Sequence, residues 1–177
     1  MTRIYISGPV TGIEDDNRTV FDDTQKLLAE AGYDSFLPHY LVEPSDSHET
    51  AMLLCINELT GRTQKPGIRH PVPCYDGLAL LPGWEQSDGA RLEKAVAEAC
   101  GIQCKTVDEW IEETRVRDLK SECHKLFDRT WKTKDERKDC YVSLSRKLGI
   151  TLGECHFSTM SAELLERALE ILKEEAL

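Results

Sequence analysis

The chain has 177 residues, of which 40% are hydrophobic and 31% are charged, and its formal net charge is −10. This size and composition are ordinary for a globular protein with one good core and room for a small appendage. The negative charge and the lack of a basic run argue against general nucleic-acid binding and against binding to a membrane surface. No apolar run approaches the ~20 residues that a membrane-spanning helix needs.

The seven cysteines favour a reducing compartment such as the cytoplasm and argue against a metal site. Their number is odd and no Cys-x-x-Cys pair occurs, so neither a disulfide framework nor a four-thiolate zinc site is expected. The pairs Cys123-His124 and Cys155-His156 contain zinc-binding residue types, but neighbours on a helix point in different directions. The chain also starts with a predicted strand rather than a signal peptide. We therefore predict a cytoplasmic protein without a metal or another cofactor.

Strand and helix signals alternate along the first part of the chain. Apolar patterning predicts strands at about 3–6, 33–37, 77–81 and 102–105, and helices at about 18–31, 49–60 and 89–100. The helix at 49–60 is expected to carry Met52, Leu53, Ile56 and Leu59 on one face. Residues 61–73 carry Gly, Pro and basic residues, which predicts a loop. Such alternation is typical of a small doubly wound parallel sheet, so we predict an α/β domain over residues 1–113.

The composition changes after residue 113, where no further strand signal occurs. A last turn carrying Trp110 is expected to end near residue 113. Three helices are then predicted at about 116–131, 135–148 and 161–175. The last of them has Ser161 as its expected N-terminal cap. Residues 114–177 are therefore predicted to form a small all-α domain.

The stretch at 80–93 predicts a ligand site, because a strand ends there in a Pro-Gly-Trp turn and a helix begins. The first turn of this helix offers free backbone N–H groups beside Ser87 and Gly89, and Glu93 follows one turn later. Ser87 could equally be a simple helix cap. Glu93 could equally be an ordinary first-turn residue that the helix dipole stabilises.

A second group of candidates follows the first strand. Ser7, Gly8 and Pro9 lie at the carboxyl end of that strand, where open α/β sheets bind ligands, although they could also form an ordinary turn. Either Asp16 or Asn17 is expected to cap the next helix. Asn17 and Arg18 are further candidates for ligand contact, with capping and a solvated charge as the alternatives.

Trp84, in the turn before the helix at 89–100, is also a candidate. Its ring could line the ligand pocket, or it could cover the edge of the sheet.

Three separated blocks of the sequence resemble one family. The blocks are residues 5–12, residues 17–21 and residues 80–93, and the likeness covers about residues 1–105. Together they are similar to a family of uncharacterised phage and bacterial proteins allied to the nucleoside 2-deoxyribosyltransferases. The spacing Ser87-x-Gly89-x-x-x-Glu93 is also similar to that of 2-deoxynucleoside 5-monophosphate N-glycosidases.

The resemblance implies roles for these residues. It implies that Glu93 attacks the anomeric carbon of a nucleoside, that Ser87 and Gly89 hold the sugar or its phosphate, and that the Ser7 block lines the sugar and base pocket. It also implies a homo-oligomer, because related enzymes complete their sites across a subunit interface. One departure stands out. The helix before the central strand usually carries an Asp, and alignment on Ile56 and Leu59 puts Cys55 there.

Two functions follow as expectations. The first is an enzyme that cleaves or transfers at the N-glycosidic bond of a nucleoside or its 5-monophosphate, with Glu93 as nucleophile. The alternative, motivated by Cys55, is a non-catalytic nucleotide-binding protein that acts as a sensor or sponge. Residues 124–156 resemble the tail of a small phage-associated domain that usually follows a Cys-rich zinc motif, and that motif is missing here.

Overall fold

The structure is a computed structural model that describes residues 1–64 and 66–175. Lys65, in the predicted loop at 61–73, and the last two residues of the predicted helical domain lie outside the described residues. The fold divides into two compact units, with the division between Ile111 and Glu112. In the described part of the chain, no helix is long and apolar enough to cross a membrane.

The first unit is built on a four-stranded parallel sheet, which confirms the predicted α/β class. The unit contains six strands in all, β1 (Arg3–Ser7), β2 (Asp34–Phe36), β3 (Arg62–Thr63), β4 (Val72–Pro73), β5 (Gly77–Leu80) and β6 (Gln103–Thr106). The sheet order is β2-β1-β5-β6, and β3 and β4 form a separate antiparallel pair. The helices of the chain are α1 (Arg18–Glu30), α2 (His48–Leu59), α3 (Asp88–Ala99), α4 (Val107–Phe127), α5 (Lys134–Leu148) and α6 (Ala162–Glu175).

Alternation along the strands divides the core of this unit into two faces. Ile4 and Ile6 of β1 pack on one face with Phe21 and Leu28 of α1. Tyr5 points to the other face. That second face also holds Leu59 of α2 and Ala97 of α3. Because side chains alternate along a strand, Ser7 shares the face of Tyr5.

The face that α2 buries differs from the prediction. Cys55 and Leu59 are the buried residues of α2, whereas the Leu53 side chain is 74% exposed. Cys55 and Leu59 are four residues apart and therefore share one face of the helix. Leu53 lies two residues before Cys55, roughly on the opposite side, so Leu53 does not share the buried face with Leu59 as the pattern predicts.

Two further elements differ from the sequence-based prediction. The predicted loop at 61–73 contains the short β3–β4 pair, in which Thr63 lies opposite Val72. The predicted break near residue 114 is absent, because α4 runs without interruption from Val107 to Phe127. No Gly or Pro occurs in that range, so nothing in the local sequence stops the helix.

The second unit is helical, as predicted. Its core combines residues of α4, α5 and α6 with the segment before α6 and includes Phe127, Leu148, Phe157 and Leu165. Glu136 and Thr133 form a capping box at the start of α5. Ser161 caps α6, where its hydroxyl accepts the Leu164 N–H at 3.4 Å.

The close contact between Gly77 and Trp110 gives a first test of the fold. A Cβ on Gly77 would lie 2.3 Å from Cζ2 of Trp110, and the indole is held in place because its Nε1–H donates to the Leu78 carbonyl at 3.1 Å. We expect Gly77→Ala to lower the free energy of unfolding by about 1–3 kcal/mol through overpacking. Urea denaturation measures this change. Gly153→Ala is the control, because its Cβ would meet nothing within 4 Å, and equal stabilities of the two variants would contradict the prediction.

Candidate active site

A cavity of about 890 Å³ opens at the carboxyl edge of the parallel sheet. Its walls come from the segment after β1, the start of α1, the segment before α2, one face of α2, and the turn that leads from β5 into α3. This edge is where parallel α/β sheets usually bind ligands. The volume suits a small molecule of nucleoside size.

Glu93 of α3 reaches this cavity with a carboxyl group that is almost fully buried. Its side chain is only 5% exposed. The Tyr5 hydroxyl donates to Oε1 at 2.9 Å and the Ser7 hydroxyl donates to Oε2 at 2.5 Å. Both donors come from β1, where the two-residue alternation directs Tyr5 and Ser7 toward α3. Each carboxyl oxygen therefore has its own donor.

Cys55 of α2 completes the surroundings of this carboxyl group. Its thiol lies close enough to Glu93 and to the Tyr5 hydroxyl to influence the ionisation of both groups. Cys55 lines the cavity beside Glu93, at the position where the resemblance implies an Asp. Three elements, β1, α2 and α3, thus meet at one carboxyl group.

Burial governs the protonation of this cluster. It raises the pKa of Glu93, while hydrogen bonds from Ser7, Tyr5 and Cys55 act in the opposite direction. Burial also raises the pKa of Cys55 to about 11, and the nearby Glu93 contributes to that increase. The pKa of Tyr5 lies well above its usual value for the same two reasons. Tyr5 and Cys55 therefore keep their protons near neutral pH and remain donors.

The start of α3 supplies another part of the wall. Ser87 caps the helix, because its hydroxyl accepts the Ala90 N–H at 3.3 Å, and both Ser87 and Gly89 line the cavity. A Cβ on Gly89 would lie 3.1 Å from Sδ of Met52. Gly89 thus permits the close approach of α2 and α3. Ser87 therefore both caps α3 and lines the cavity.

The segment after β1 contributes several of the predicted residues. Gly8, Pro9 and Arg18 line the cavity. The Asn17 amide donates to the Pro9 carbonyl at 2.8 Å, and Asn17 has a left-handed φ of 61°. The expected side-chain cap of α1 is therefore wrong, since the Asn17 side chain bonds to Pro9 instead. Asn17 itself is not among the described lining residues and supports the wall from behind.

Trp84 also lies outside the described lining of the cavity. Its indole packs against the second core face of the first unit, and the Lys94 ammonium lies 5.5 Å from its ring centroid. The tight turn at Gly83, with a φ of 82°, precedes this ring. This packing agrees with the alternative that Trp84 covers the edge of the sheet, and its contact with a ligand stays a prediction.

Sequence reasoning missed several residues of the site. Tyr5 belongs to the strand and to the block at 5–12 but is not among the predicted site residues, although its two-residue spacing from Ser7 is the signal that could have identified it. Two histidines also line the cavity. One of them, His39, bonds through Nε2 to the Asp16 carbonyl at 2.9 Å. No spacing rule in the sequence connects that histidine with the segment after β1.

The comparisons with known proteins address the family. The model of a domain of unknown function, DUF4406, matches residues 2–106, which is more than half of the chain. The chain belongs to this family. A second family model, described as a zinc-finger-containing domain, matches residues 106–175. No curated protein and no solved structure matches the chain.

The second match raises the question whether the residues present fit a zinc ion. Within residues 1–64 and 66–175, no group of three or more His, Cys, Asp or Glu side chains is arranged to hold a metal. The Cys123 thiol instead donates to the Leu165 carbonyl at 3.4 Å. The His124 ring packs edge-on against Phe157 at 4.9 Å, and Cys155 is fully buried in the helical core. These residues do not fit a zinc site.

The raised pKa of Glu93 gives a stability test. The folded chain holds this proton more tightly than the unfolded chain, whose ordinary value is 4.5. The stabilisation is therefore complete below that value and is lost as the pH rises through the folded-state pKa. We expect Glu93→Gln to remove this loss, so that the stability of the variant relative to the unmodified protein increases from acidic to mildly alkaline pH.

Denaturation curves across that pH range measure the effect. Glu85→Gln, which removes an exposed carboxyl group from the turn before α3, is the control. The same pH dependence in both variants would show that the burial of Glu93 has no energetic consequence.

Proposed function

We propose that the chain is an N-glycosidase or deoxyribosyltransferase-like enzyme that acts on the N-glycosidic bond of a nucleoside or its 5-monophosphate. The observation that carries the proposal is the buried Glu93 carboxyl group, which hydrogen bonds from Tyr5 and Ser7 hold beside Cys55 at the cavity. Burying a carboxyl group costs free energy, and perturbed carboxyl groups in clefts are often reactive. The resemblance of residues 1–105 to nucleoside deoxyribosyltransferases supports the same assignment.

In the proposed reaction Glu93 supplies an electron pair. One carboxylate oxygen attacks the anomeric carbon while the carbon–nitrogen bond breaks and its electron pair leaves with the base. The carboxylate also stabilises the positive charge that develops on the sugar ring. Water then attacks the anomeric carbon of the glycosyl-enzyme and releases Glu93. If a second base attacks instead of water, the reaction is a transfer.

The other site residues would position the substrate. Tyr5 and Ser7 hold one carboxyl oxygen each, so they fix the plane of the nucleophile relative to the cavity. A group held in this way reacts without first reorganising. Further contacts to the sugar, phosphate or base are proposed for the predicted residues that line the cavity, namely Gly8, Pro9, Arg18, Ser87 and Gly89.

A nucleotide-binding protein without turnover is the second candidate. The observation that favours it is Cys55, an uncharged thiol beside Glu93 where the resemblance implies an Asp. In that case the cavity would retain a nucleoside or nucleotide and release it unchanged. The protein would then act as a sensor or a sponge.

Two further features belong to the proposal. A homo-oligomer is proposed from the resemblance, and the Leu53 and Leu92 side chains, 74% and 49% exposed, provide apolar surface on α2 and α3 for it. The mass of the protein in solution tests this. A cytoplasmic location is proposed from the cysteines, all seven of which are free.

Removal of the nucleophile is the direct test of the enzyme. We expect Glu93→Gln to slow the release of free base from a panel of nucleosides and 5-monophosphates by about 10³-fold or more, as the loss of a nucleophile does elsewhere. Chromatography of the free base measures the rate, and circular dichroism verifies that the variant is folded.

The control is Glu85→Gln, which should retain full activity. Undiminished base release by folded Glu93→Gln would refute the role of Glu93. Tight binding of a nucleoside by the unmodified protein, without any free base, would favour the binding protein instead.

A further inference from the structure

The cavity is lined by more negative than positive groups. Among the described lining residues there are one guanidinium, that of Arg18, two imidazoles, those of His39 and His48, and five carboxyl groups, those of Asp16, Glu43, Asp46, Asp88 and Glu93. A cleft lined by charge of one sign focuses its field and concentrates ligands of the opposite sign. The lining therefore favours a positively charged ligand.

The imbalance remains when the compensated groups are set aside. Asp88 forms an ion pair with Arg91 of the same helix, and the raised pKa of Glu93 weakens its charge. Asp16, Glu43 and Asp46 remain, and no ion pair joins any of them to a cation within the part of the chain that the structure describes. Asp16 and Asp46 are half-buried, so solvent screens them less than surface groups.

The start of α3 does not reverse this charge balance. Helix N-termini attract anions through their free N–H groups and the helix dipole. Here the Ser87 hydroxyl already accepts the Ala90 N–H, and Asp88 places a carboxylate in the first turn. Both features weaken the attraction for a phosphate group.

The groups that contact Glu93 also favour a positively charged ligand. They are a phenol, a hydroxyl and a thiol, from Tyr5, Ser7 and Cys55. None of these three groups is an efficient proton donor near neutral pH. Of the two histidines in the lining, His39 is already bonded through Nε2 to the Asp16 carbonyl. A neutral base must gain a proton as it leaves, whereas a base that carries a positive charge leaves as a neutral molecule without one.

We infer that the site acts on N-glycosides whose base is positively charged, such as N7-alkylated purine nucleosides or pyridinium nucleosides. The inference rests on the proposed function and specifies its substrate class. A Glu93 oxygen forms a bond to the anomeric carbon, and the bond to the cationic ring nitrogen breaks with its electron pair going to that nitrogen. Water then replaces Glu93 on the carbon, and its extra proton goes to solvent. The products are a free sugar, a neutral base and one proton.

The experiment compares matched probes of different charge. One series is N7-methylguanosine and its deoxy analogue against their unmethylated parents, assayed at mildly acidic pH so that the methylated base is fully cationic. The other is nicotinamide riboside, nicotinic acid riboside and nicotinamide mononucleotide, in which the net charge falls stepwise. Each kcat/KM is divided by the uncatalysed rate, because cationic bases are intrinsically better leaving groups. We expect this ratio to be about tenfold or more higher for the cations, and to fall with added salt.

Two variants test whether the carboxylates of the cavity lining cause the preference for cationic substrates. Asp16→Asn and Asp46→Asn keep the shape of the side chain, and Asn tolerates the left-handed φ of 50° at Asp16. Each should lower the cation preference by about threefold or more. Asp22→Asn, on the exposed surface of α1 outside the cavity, is the matched control and should leave the preference unchanged.

The outcomes separate the inference from the function on which it rests. A higher ratio for the cations that both lining variants reduce supports the inference. A normalised ratio for the neutral nucleosides that equals or exceeds the ratio for their methylated counterparts overturns it, while the glycosidase assignment stands. If the unmodified protein releases base from every probe no faster than Glu93→Gln does, both the inference and the proposed function are overturned.

Discussion

The hydrogen bonds from Tyr5 and Ser7 to the Glu93 carboxyl group are the interaction on which the first unit depends. A carboxyl group that is only 5% exposed would be costly without donors. The parallel register of β1 between β2 and β5 brings the end of β1 beneath the start of α3. Alternation along β1 then directs two polar side chains, rather than one, toward the same carboxyl group. The sheet thereby offsets the cost of burying Glu93.

The orientation of α2 follows from the same cluster. Rotation of α2 by the two residues that separate Cys55 from Leu53 would bury a leucine against Glu93 and remove a donor. The observed helix buries Cys55 and Leu59 and leaves Leu53 exposed. The same rotation would also expose Leu59, which is fully buried in the observed structure. The observed orientation of α2 therefore satisfies the apolar core and the Glu93 carboxyl group together.

Some features of the first unit were predictable from the sequence and others were not. The four sheet strands and the helices of the first unit follow from local patterning and from Gly punctuation, and the location of Glu93 on the first turns of α3 follows from the same signals. The sequence did not predict the exposure of Leu53 or the hydrogen bond from Tyr5 to Glu93, because both depend on contacts between distant residues. The uninterrupted α4 and the side-chain contact of Asn17 were missed for a different reason. Capping residues and composition changes indicate where a helix can end, and tertiary contacts decide whether it does.

Burial opposes the ionisation that Glu93 needs as a nucleophile, and a cation bound to the cavity lining would favour it. A nucleophilic carboxyl group must be ionised to attack, whereas burial raises the pKa of Glu93 and favours the protonated form. A positive charge brought within a few ångströms acts in the opposite direction, because it stabilises the carboxylate in a low-dielectric site. A cationic base bound among Asp16, Glu43 and Asp46 would therefore help to ionise Glu93 as it enters. In this arrangement the burial of Glu93 contributes to selectivity, because a neutral or anionic ligand does not stabilise the carboxylate in this way.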